Sequence, residues 1–119
     1  MKRLILPMIL AALGAACAQA QDVGGMYTVQ GTNFDGSPYG GDAKITLTSN
    51  TTCEIQWITA ASTSKGICMR NGDSFAAGYV LGKEIGLVIY RMMPDGTMNG
   101  LWTIAGQTGT GTEVLIPKR

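Results

Sequence analysis

Short runs of apolar residues, each bounded by turn residues, recur along the chain, and two of them form the clearest predicted element. They occupy residues 86–104 and flank the tripeptide Pro94-Asp95-Gly96. Proline presets φ for the first turn position, and glycine supplies the positive φ that closes a type I turn with a G1 bulge. The pattern therefore predicts a β-hairpin with a three-residue loop.

The loop length also predicts which residues of this hairpin face each other. Counting outward from the turn places Tyr90 opposite Gly100 and Val88 opposite Trp102. An aromatic ring over a cross-strand glycine, beside a tryptophan against a β-branched residue, is a favourable pairing. We expect one face of the hairpin to be buried, and its members are Gly86, Val88, Tyr90, Met98, Gly100, Trp102 and Ile104.

The same kind of pattern predicts eight strands and no helix in the chain after residue 20. The predicted strands are 25–30, 43–48, 52–59, 62–70, 75–80, 85–91, the strand that carries Trp102, and 113–116. Short strands joined by tight turns indicate an antiparallel sandwich or a closed barrel. Closure removes unpaired edges, so we predict an all-β fold, a small up-and-down barrel of about eight strands. An interior filled by side chains is favoured over a hollow one.

Residues 1–20 have the pattern of an export signal. Lys2 and Arg3 precede an apolar run at 4–16, and Ala18-Gln19-Ala20 has the small residues of a cleavage site. The run is shorter than the roughly 20 residues that a membrane span requires. Two alternatives remain, namely a membrane anchor and a lipoprotein signal in which Cys17 is the lipidated residue. No later stretch is long enough to span. We expect a periplasmic or secreted protein.

Removal of this segment changes the charge of the chain. The net charge of +1 becomes −1 because two basic residues leave and all eight acidic residues stay. A nearly neutral chain has no electrostatic attraction for nucleic acid or anionic membranes. The remaining residues, 21–119, suit one domain with a modest core.

Two cysteines remain after the signal, and in an exported protein they are expected to pair. If the strands on either side of Ala60 and Ala61 fold onto each other, Cys53 lies opposite Cys68, within disulfide range. A redox pair or a metal site is the alternative. The first usually shows C-x-x-C and zinc needs more ligands than two. We therefore predict a structural disulfide.

The chain lacks the residue sets that catalysis or metal binding requires. It contains no histidine, and no serine or cysteine stands beside a recognisable base. Asp35, Asp73 and Asp95 adjoin glycines in turns, where the side chain usually bonds its own backbone. The acidic residues expected on solvent-facing strand positions are Glu54, Glu84 and Glu113. The sequence thus predicts a protein that is not an enzyme, with no cofactor and no metal.

Two motifs carry a resemblance to known proteins. Gly100-Leu101-Trp102 and the meander of strands resemble calycin barrels, the lipocalin and avidin group. In that group the Gly-x-Trp motif usually lies on the first strand, whereas here it lies on the seventh predicted strand. Residues 26–117 are similar to small exported bacterial proteins of unknown role, some labelled fibronectin-binding. Their pattern is a Gly-Thr-Asn-x-Asp-Gly-Ser loop, here Gly31 to Ser37, followed by Tyr-x-x-x-x-Asp-Gly-Thr-x-x-Gly-x-Trp. The resemblance implies export and a barrel more than an activity.

Two function hypotheses follow, and the first is a binding or interaction module. If Val88 and Trp102 are inside the barrel, then Leu87, Ile89 and Leu101 point outward. An exposed apolar patch usually marks an interface. The partner would be an unknown macromolecule or a second copy of the chain.

The second hypothesis is a small-ligand carrier. Its pocket would be lined by Trp57, Tyr79, Tyr90 and Trp102, with Arg70 or Arg91 at the mouth. Aromatic residues in a small barrel are core filler more often than pocket wall. An inhibitor of a cell-wall enzyme also fits the size, the export signal and the disulfide, but no loop identifies a target.

Overall fold

The computed structural model describes residues 22–119 and shows a closed antiparallel barrel. The predicted signal segment, its cleavage site and Cys17 lie outside the described residues. In the described part the strands are β1 (Gly25–Thr32), β2 (Pro38–Leu47), β3 (Thr52–Thr59), β4 (Thr63–Asn71), β5 (Ser74–Leu81), β6 (Glu84–Met92), β7 (Met98–Ile104) and β8 (Gly111–Pro117). Each strand pairs with the next and β8 closes on β1. The predicted up-and-down barrel of eight strands is confirmed.

The hairpin of β6 and β7 has the predicted register. Val88 lies opposite Trp102 and Tyr90 lies opposite Gly100. Gly96 has a φ of 89°, and its N–H donates to the carbonyl of Met93 at 3.0 Å. The turn residues therefore determined this pairing as expected.

The β1–β2 turn repeats the geometry of the β6–β7 turn. Gly36 has a φ of 86°, and the Asp35 carboxylate accepts hydrogen bonds from the backbone N–H and the hydroxyl of Ser37. Asp95 accepts the same two bonds from Thr97. As predicted, these aspartates bond locally, and the bonds lower the pKa of both carboxyl groups.

The strands around the first turn are longer than predicted. The first predicted strand ends at residue 30 and the second begins at residue 43, whereas β1 continues to Thr32 and β2 begins at Pro38. Glycine is required inside this strand because a Cβ at Gly41 would lie 2.2 Å from the carbonyl oxygen of Ile58. The glycines thus permit close strand approach here and do not mark a loop.

The predicted disulfide is confirmed. Cys53 on β3 and Cys68 on β4 are directly paired residues with Cα atoms 5.0 Å apart, and they form a bond. Both are buried in the barrel interior. With a sequence separation of 15, the chain-entropy model assigns the bridge about 3 kcal/mol of stabilisation.

The two ends of the barrel differ. The end formed by the β2–β3, β4–β5 and β6–β7 turns, called here the closed end, is filled by the inward side chains of the strands. The largest fully buried side chains are Tyr90, Phe75, Ile45, Ile55, Met98, Leu115 and Val29. The opposite end, called here the open end, is formed by the β1–β2, β3–β4, β5–β6 and β7–β8 loops. The inward-facing side chains at this end, including Tyr79, Trp102 and Ile104, are only partly buried.

The outer surface is apolar on one side of the barrel. Outward residues of four adjacent strands form an apolar band, which comprises Ile67, Met69, Val80, Ile85, Leu87, Ile89 and Leu101. Residues 22–119 contain no helix with the length and hydrophobicity needed to cross a membrane.

Candidate functional site

A cavity of about 330 Å³ occupies the open end of the barrel. Its wall includes four aromatic residues, Tyr39, Trp57, Tyr79 and Trp102, and its deepest polar group is the carboxylate of Glu113. The expectation of a filled interior is therefore correct for the closed end and wrong for the open end. The reason is that several residues lining the open end are small, namely Ala61 and Ser62 of the β3–β4 loop and Ser64 of β4.

Glu113 was expected on the solvent-facing side of its strand, and this expectation is wrong. The residue is only 5% exposed because β8 turns Gly111, Glu113 and Leu115 inward. A buried carboxylate is costly unless hydrogen bonds replace its hydration. The surroundings of Glu113 supply such bonds from three directions.

Three side chains donate hydrogen bonds to the Glu113 carboxylate. The phenol of Tyr39 donates to Oε1 at 2.7 Å, the indole N–H of Trp57 donates to Oε2 at 2.8 Å, and the phenol of Tyr90 also donates to Oε2. Both oxygens act as acceptors, as in an ionised carboxylate, which has about four acceptor positions. One position thus has no donor among these three side chains, and Glu113 is part of the cavity lining.

The charge of Glu113 affects the tyrosines around it. Burial, followed by the Glu113 charge, raises the pKa of Tyr79 to about 12. The same two causes raise the pKa of Tyr39 and of Tyr90 well above the usual value. These phenols therefore remain protonated at neutral pH, and those of Tyr39 and Tyr90 remain donors to the carboxylate.

Each of four aromatic side chains lies over a glycine directly opposite it on the neighbouring strand. The pairs are Tyr39 over Gly31, Tyr79 over Gly86, Tyr90 over Gly100, and Trp102 over Gly111. A Cβ at any of these glycines would lie 2.2–2.5 Å from a ring atom. The missing side chains make room for rings against the inner wall. The pair of Tyr90 and Gly100 is the one that the sequence predicted.

Trp102 lies where the cavity meets the loops. Its ring stacks on Phe34 of the β1–β2 loop, with centroids 4.8 Å apart, and contacts Tyr39 edge to face. Its indole N–H donates to the carbonyl of Thr112 at 3.2 Å. Deeper in the cavity, Trp57 and Tyr79 make a second edge-to-face contact at 5.0 Å. Aromatic contacts of this kind hold rings in defined positions.

Three of the four predicted ligand-binding residues line the cavity and the fourth lies in the core. Trp57, Tyr79 and Trp102 line the cavity, while Tyr90 lies in the fully buried core and reaches Glu113 with its hydroxyl. Neither arginine proposed for the mouth is part of the lining. Arg91 points outward from β6, and Arg70 donates to the carbonyl of Gly72 at the closed end.

The three residues proposed for an interface lie where the sequence placed them, on the outer surface. Leu87, Ile89 and Leu101 are 62%, 60% and 55% exposed. Leu87 lies on β6 beside Gly78 of β5, and Ile89 is paired with Leu101. They form the centre of the apolar band.

Two other depressions lack the features of the cavity. One of about 500 Å³ lies on the outer wall across β2, β3 and β4 and is lined mainly by exposed residues such as Lys44 and Glu54. Another, of about 320 Å³, lies at the closed end between the start of β1, the β6–β7 turn and the end of β8. Across residues 22–119, no group of three or more His, Cys, Asp or Glu residues could hold a metal ion.

Two important residues of the site were not predicted from the sequence, namely Tyr39 and Glu113. Tyr39 lies between the first two predicted strands, 25–30 and 43–48, and therefore had no predicted place in the sheet. Glu113 has an available signal, because it alternates with Leu115 and Gly111, which occupy inward positions of the same strand. Val114 and Ile116 are equally apolar, so the alternation alone did not decide which face is buried.

Comparison with known proteins supports the fold. No family model and no curated protein matches this sequence. Among solved structures, it is similar to a redesigned β-barrel at 17% identity, covering 82% of this chain and 92% of that one, with a TM-score of 0.69. A second redesigned barrel, mFAP1 bound to DFHBI, is 19% identical over 79% of this chain and 94% of its own, with a TM-score of 0.68.

A third similar structure is a de novo designed fluorescence-activating β-barrel. It is 12% identical, covers 80% of this chain and 93% of its own, and has a TM-score of 0.63. These similarities place the chain among small eight-stranded barrels. The calycin group and the exported bacterial proteins of the sequence resemblance are not among these three structures.

Proposed function

We propose that this protein is an exported, non-enzymatic barrel that binds a small molecule in the cavity at its open end. The observation that carries the proposal is the Glu113 carboxylate at the inner end of an aromatic-walled cavity. Binding sites for small molecules are concave and mostly apolar, with a few fixed polar groups that orient the ligand. Three protein donors fix this carboxylate before any ligand enters.

The size of the cavity supports a small ligand. Ligand sites typically measure about 300–1,000 Å³, and this one is about 330 Å³. A barrel of similar architecture, mFAP1, was solved bound to the small molecule DFHBI, so this architecture is compatible with a bound molecule of that kind. Preorganised rings reduce the ordering cost of binding.

The two tryptophans of the chain make the proposal directly testable. Both Trp57 and Trp102 line the cavity, so their two indole N–H resonances report on its occupancy. A panel of small cationic, neutral and anionic compounds, added to the chain that starts at residue 21, should contain members that shift both resonances in a saturable way.

A matched pair of variants shows whether binding occurs inside the cavity. Ser64 lines the cavity, and its neighbour Thr63 is exposed. Ser64→Leu should fill part of the cavity and weaken binding, whereas Thr63→Leu should leave binding unchanged. A panel without saturable binding, or equal binding by both variants, would refute the proposed function.

The apolar band supports a second candidate function, self-association. The band spans β4 to β7, and the outward charged residues of these strands, Lys65 beside Val80 and Arg91 two positions after Ile89, lie at its margin. A second copy could therefore pack on it in a two-fold arrangement without burying an unpaired charge. Contiguous exposed apolar surface on a soluble protein usually marks an interface. We propose a homodimer in which β6 of each copy lies at the centre of the contact.

The remaining hypothesis, inhibition of a cell-wall enzyme, would place its contacts on loops. The longest loop of the open end, 105–110, consists of alanine, glycine, glutamine and threonine. None of its contacts favours a particular enzyme.

A further inference from the structure

The cavity combines one negative charge with several aromatic rings. Glu113 is the charged residue of its lining, and no lysine or arginine lines it. Three of the four wall rings, those of Tyr39, Tyr79 and Trp102, lie over glycines of the inner wall and line the cavity. The Trp102 ring also stacks on Phe34 of the β1–β2 loop.

From this arrangement we infer that the cavity, if it binds a small molecule as proposed above, selects an organic ammonium cation with small apolar substituents. The faces of Trp and Tyr rings carry negative partial charge and attract cations. The carboxylate adds a full negative charge at the inner end of the cavity, where water is scarce and charges interact more strongly than in bulk solvent.

The hydrogen bonds of Glu113 determine what kind of cation fits. Three donors already occupy the carboxylate, so a ligand that approaches Glu113 finds at most one further acceptor position. A cation such as a methylated ammonium, which needs few hydrogen bonds, suits this site better than a guanidinium, whose five N–H groups require more acceptors.

The charge of Glu113 also acts on two of the tyrosines that line the cavity. Burial is the largest cause of the raised pKa of Tyr39 and of Tyr79, and the negative charge of Glu113 is the second. The potential that disfavours a phenolate at these positions also disfavours an anionic ligand and stabilises a cation. An anionic ligand would have to compete with this charge without a basic side chain in the lining.

Other polar groups of the cavity do not reverse this preference. The lining near the loops includes Asn33, Thr59 and Ser62, which are neutral. Leu81, Val88 and Ile104 are apolar and match methyl or methylene groups. Charge selection therefore depends on Glu113 and the rings, and size selection depends on the walls.

The test compares choline with two matched compounds on the chain that starts at residue 21. Dimethylbutanol has the same shape but a carbon atom in place of the ammonium nitrogen, and dimethylbutanoate carries a negative charge. Shifts of the two indole N–H resonances give the dissociation constants. We expect choline to bind at least about tenfold more tightly than dimethylbutanol, with no saturable binding of dimethylbutanoate.

Two variants test the source of the preference. Glu113→Gln should remove most of the tenfold difference, and Tyr79→Leu should weaken choline binding more than dimethylbutanol binding. Tyr79 does not bond to Glu113 and lies at the cavity wall, so this second variant remains informative if the first does not fold.

The outcomes separate this inference from the proposed function. Equal or tighter binding of dimethylbutanol in the wild-type protein would overturn the cation preference while supporting a binding cavity. The same conclusion follows if none of the three compounds binds but other members of the panel do, and Glu113 then acts as a structural anchor for the rings. Absence of binding by every compound in the panel would overturn both proposals.

Discussion

Tyr39 and Glu113 are joined by a 2.7 Å hydrogen bond although 74 positions separate them in the sequence. Tyr39 belongs to β2 and Glu113 to β8, and β1 lies between these strands in the barrel. Gly31 of β1 pairs with both residues, and a Cβ there would lie 2.3 Å from the Tyr39 ring. The glycine thus lets the phenol pass across β1 to reach the carboxylate.

This relationship predicts that Glu113 stabilises the fold as well as the cavity. In Glu113→Gln, the amide N–H₂ group replaces an acceptor oxygen and would face donors from Trp57, Tyr90 or Tyr39. An unsatisfied buried donor costs about 1–3 kcal/mol, so we expect the free energy of unfolding to fall by about that amount in urea titrations.

The control for this measurement is Glu54→Gln. Glu54 lies on the outer wall of β3 and is exposed, and surface substitutions usually change stability by less than about 0.5 kcal/mol. If the two variants lose the same stability, the hydrogen bonds to Glu113 contribute nothing measurable to folding.

The sequence predicted the barrel because its turns carry local signals. Pro94-Asp95-Gly96 sets the loop length between β6 and β7, and loop length sets the register. The opposed cysteines followed from the same reasoning at β3 and β4. In each of these hairpins the decisive residues lie close together in sequence.

The carboxylate site could not be predicted in this way, because its members come from four strands. Tyr39, Trp57, Tyr90 and Glu113 belong to β2, β3, β6 and β8. These four side chains come into contact only because of the stagger between neighbouring strands in the closed barrel. No single hairpin determines this stagger. A glutamate between apolar residues on a strand is also usually exposed, so the local pattern favoured the wrong face.

The aromatic–glycine pairs predict a specific effect of Gly100→Ala. The new Cβ would lie 2.5 Å from Cδ1 of Tyr90 and would push that ring from its position beside Glu113. Overpacking of this kind typically costs about 1–3 kcal/mol, and we expect a loss of that size in urea titrations.

Gly78→Ala is the matched control for this substitution. Gly78 is also a strand glycine, but the nearest atom to its added Cβ is Cδ2 of Leu87 at 3.7 Å. Alanine removes some of the entropy cost of glycine, so this variant should be neutral or more stable by about 0.5 kcal/mol. Equal destabilisation by both variants would show that the position of the Tyr90 ring is not the cause.

The proposed homodimer predicts that Ile89→Lys prevents association. Ile89 is 60% exposed at the centre of the apolar band, and a lysine there would place two like charges close together across a two-fold contact. Sedimentation velocity over a range of concentrations should show a wild-type dimer and a monomeric variant, and the circular dichroism of the variant should show that it remains folded.

Thr46→Lys adds the same charge to the opposite side of the barrel. Thr46 is exposed on β2 and does not belong to the band, so this variant should associate like the wild-type protein. A wild-type protein that sediments as a monomer at every concentration would exclude self-association through this band.

The four tyrosines predict an unusual alkaline titration. They are Tyr27, Tyr39, Tyr79 and Tyr90, and in the folded protein the pKa of each is raised above the ordinary value of 10.0, with burial as the largest cause. Phenolate absorbance should therefore be much weaker in the native protein than in the unfolded chain at a pH of about 10.5. In concentrated denaturant the same chain should titrate near pH 10, as free tyrosine does.

The same shifts determine how stability depends on pH. Above pH 10 the unfolded chain releases phenol protons that the folded chain retains, so the unfolded state binds fewer protons and stability falls as pH rises. The contribution is complete below pH 10 and declines towards the folded-state pKa of Tyr79, which is about 12. The urea midpoint should thus be constant between about pH 8 and 9.5 as far as tyrosine is concerned, and should fall steeply above about pH 10.5. A native protein that develops full phenolate absorbance near pH 10 while still folded would show that its phenols are accessible to solvent, and would contradict the buried arrangement around Glu113.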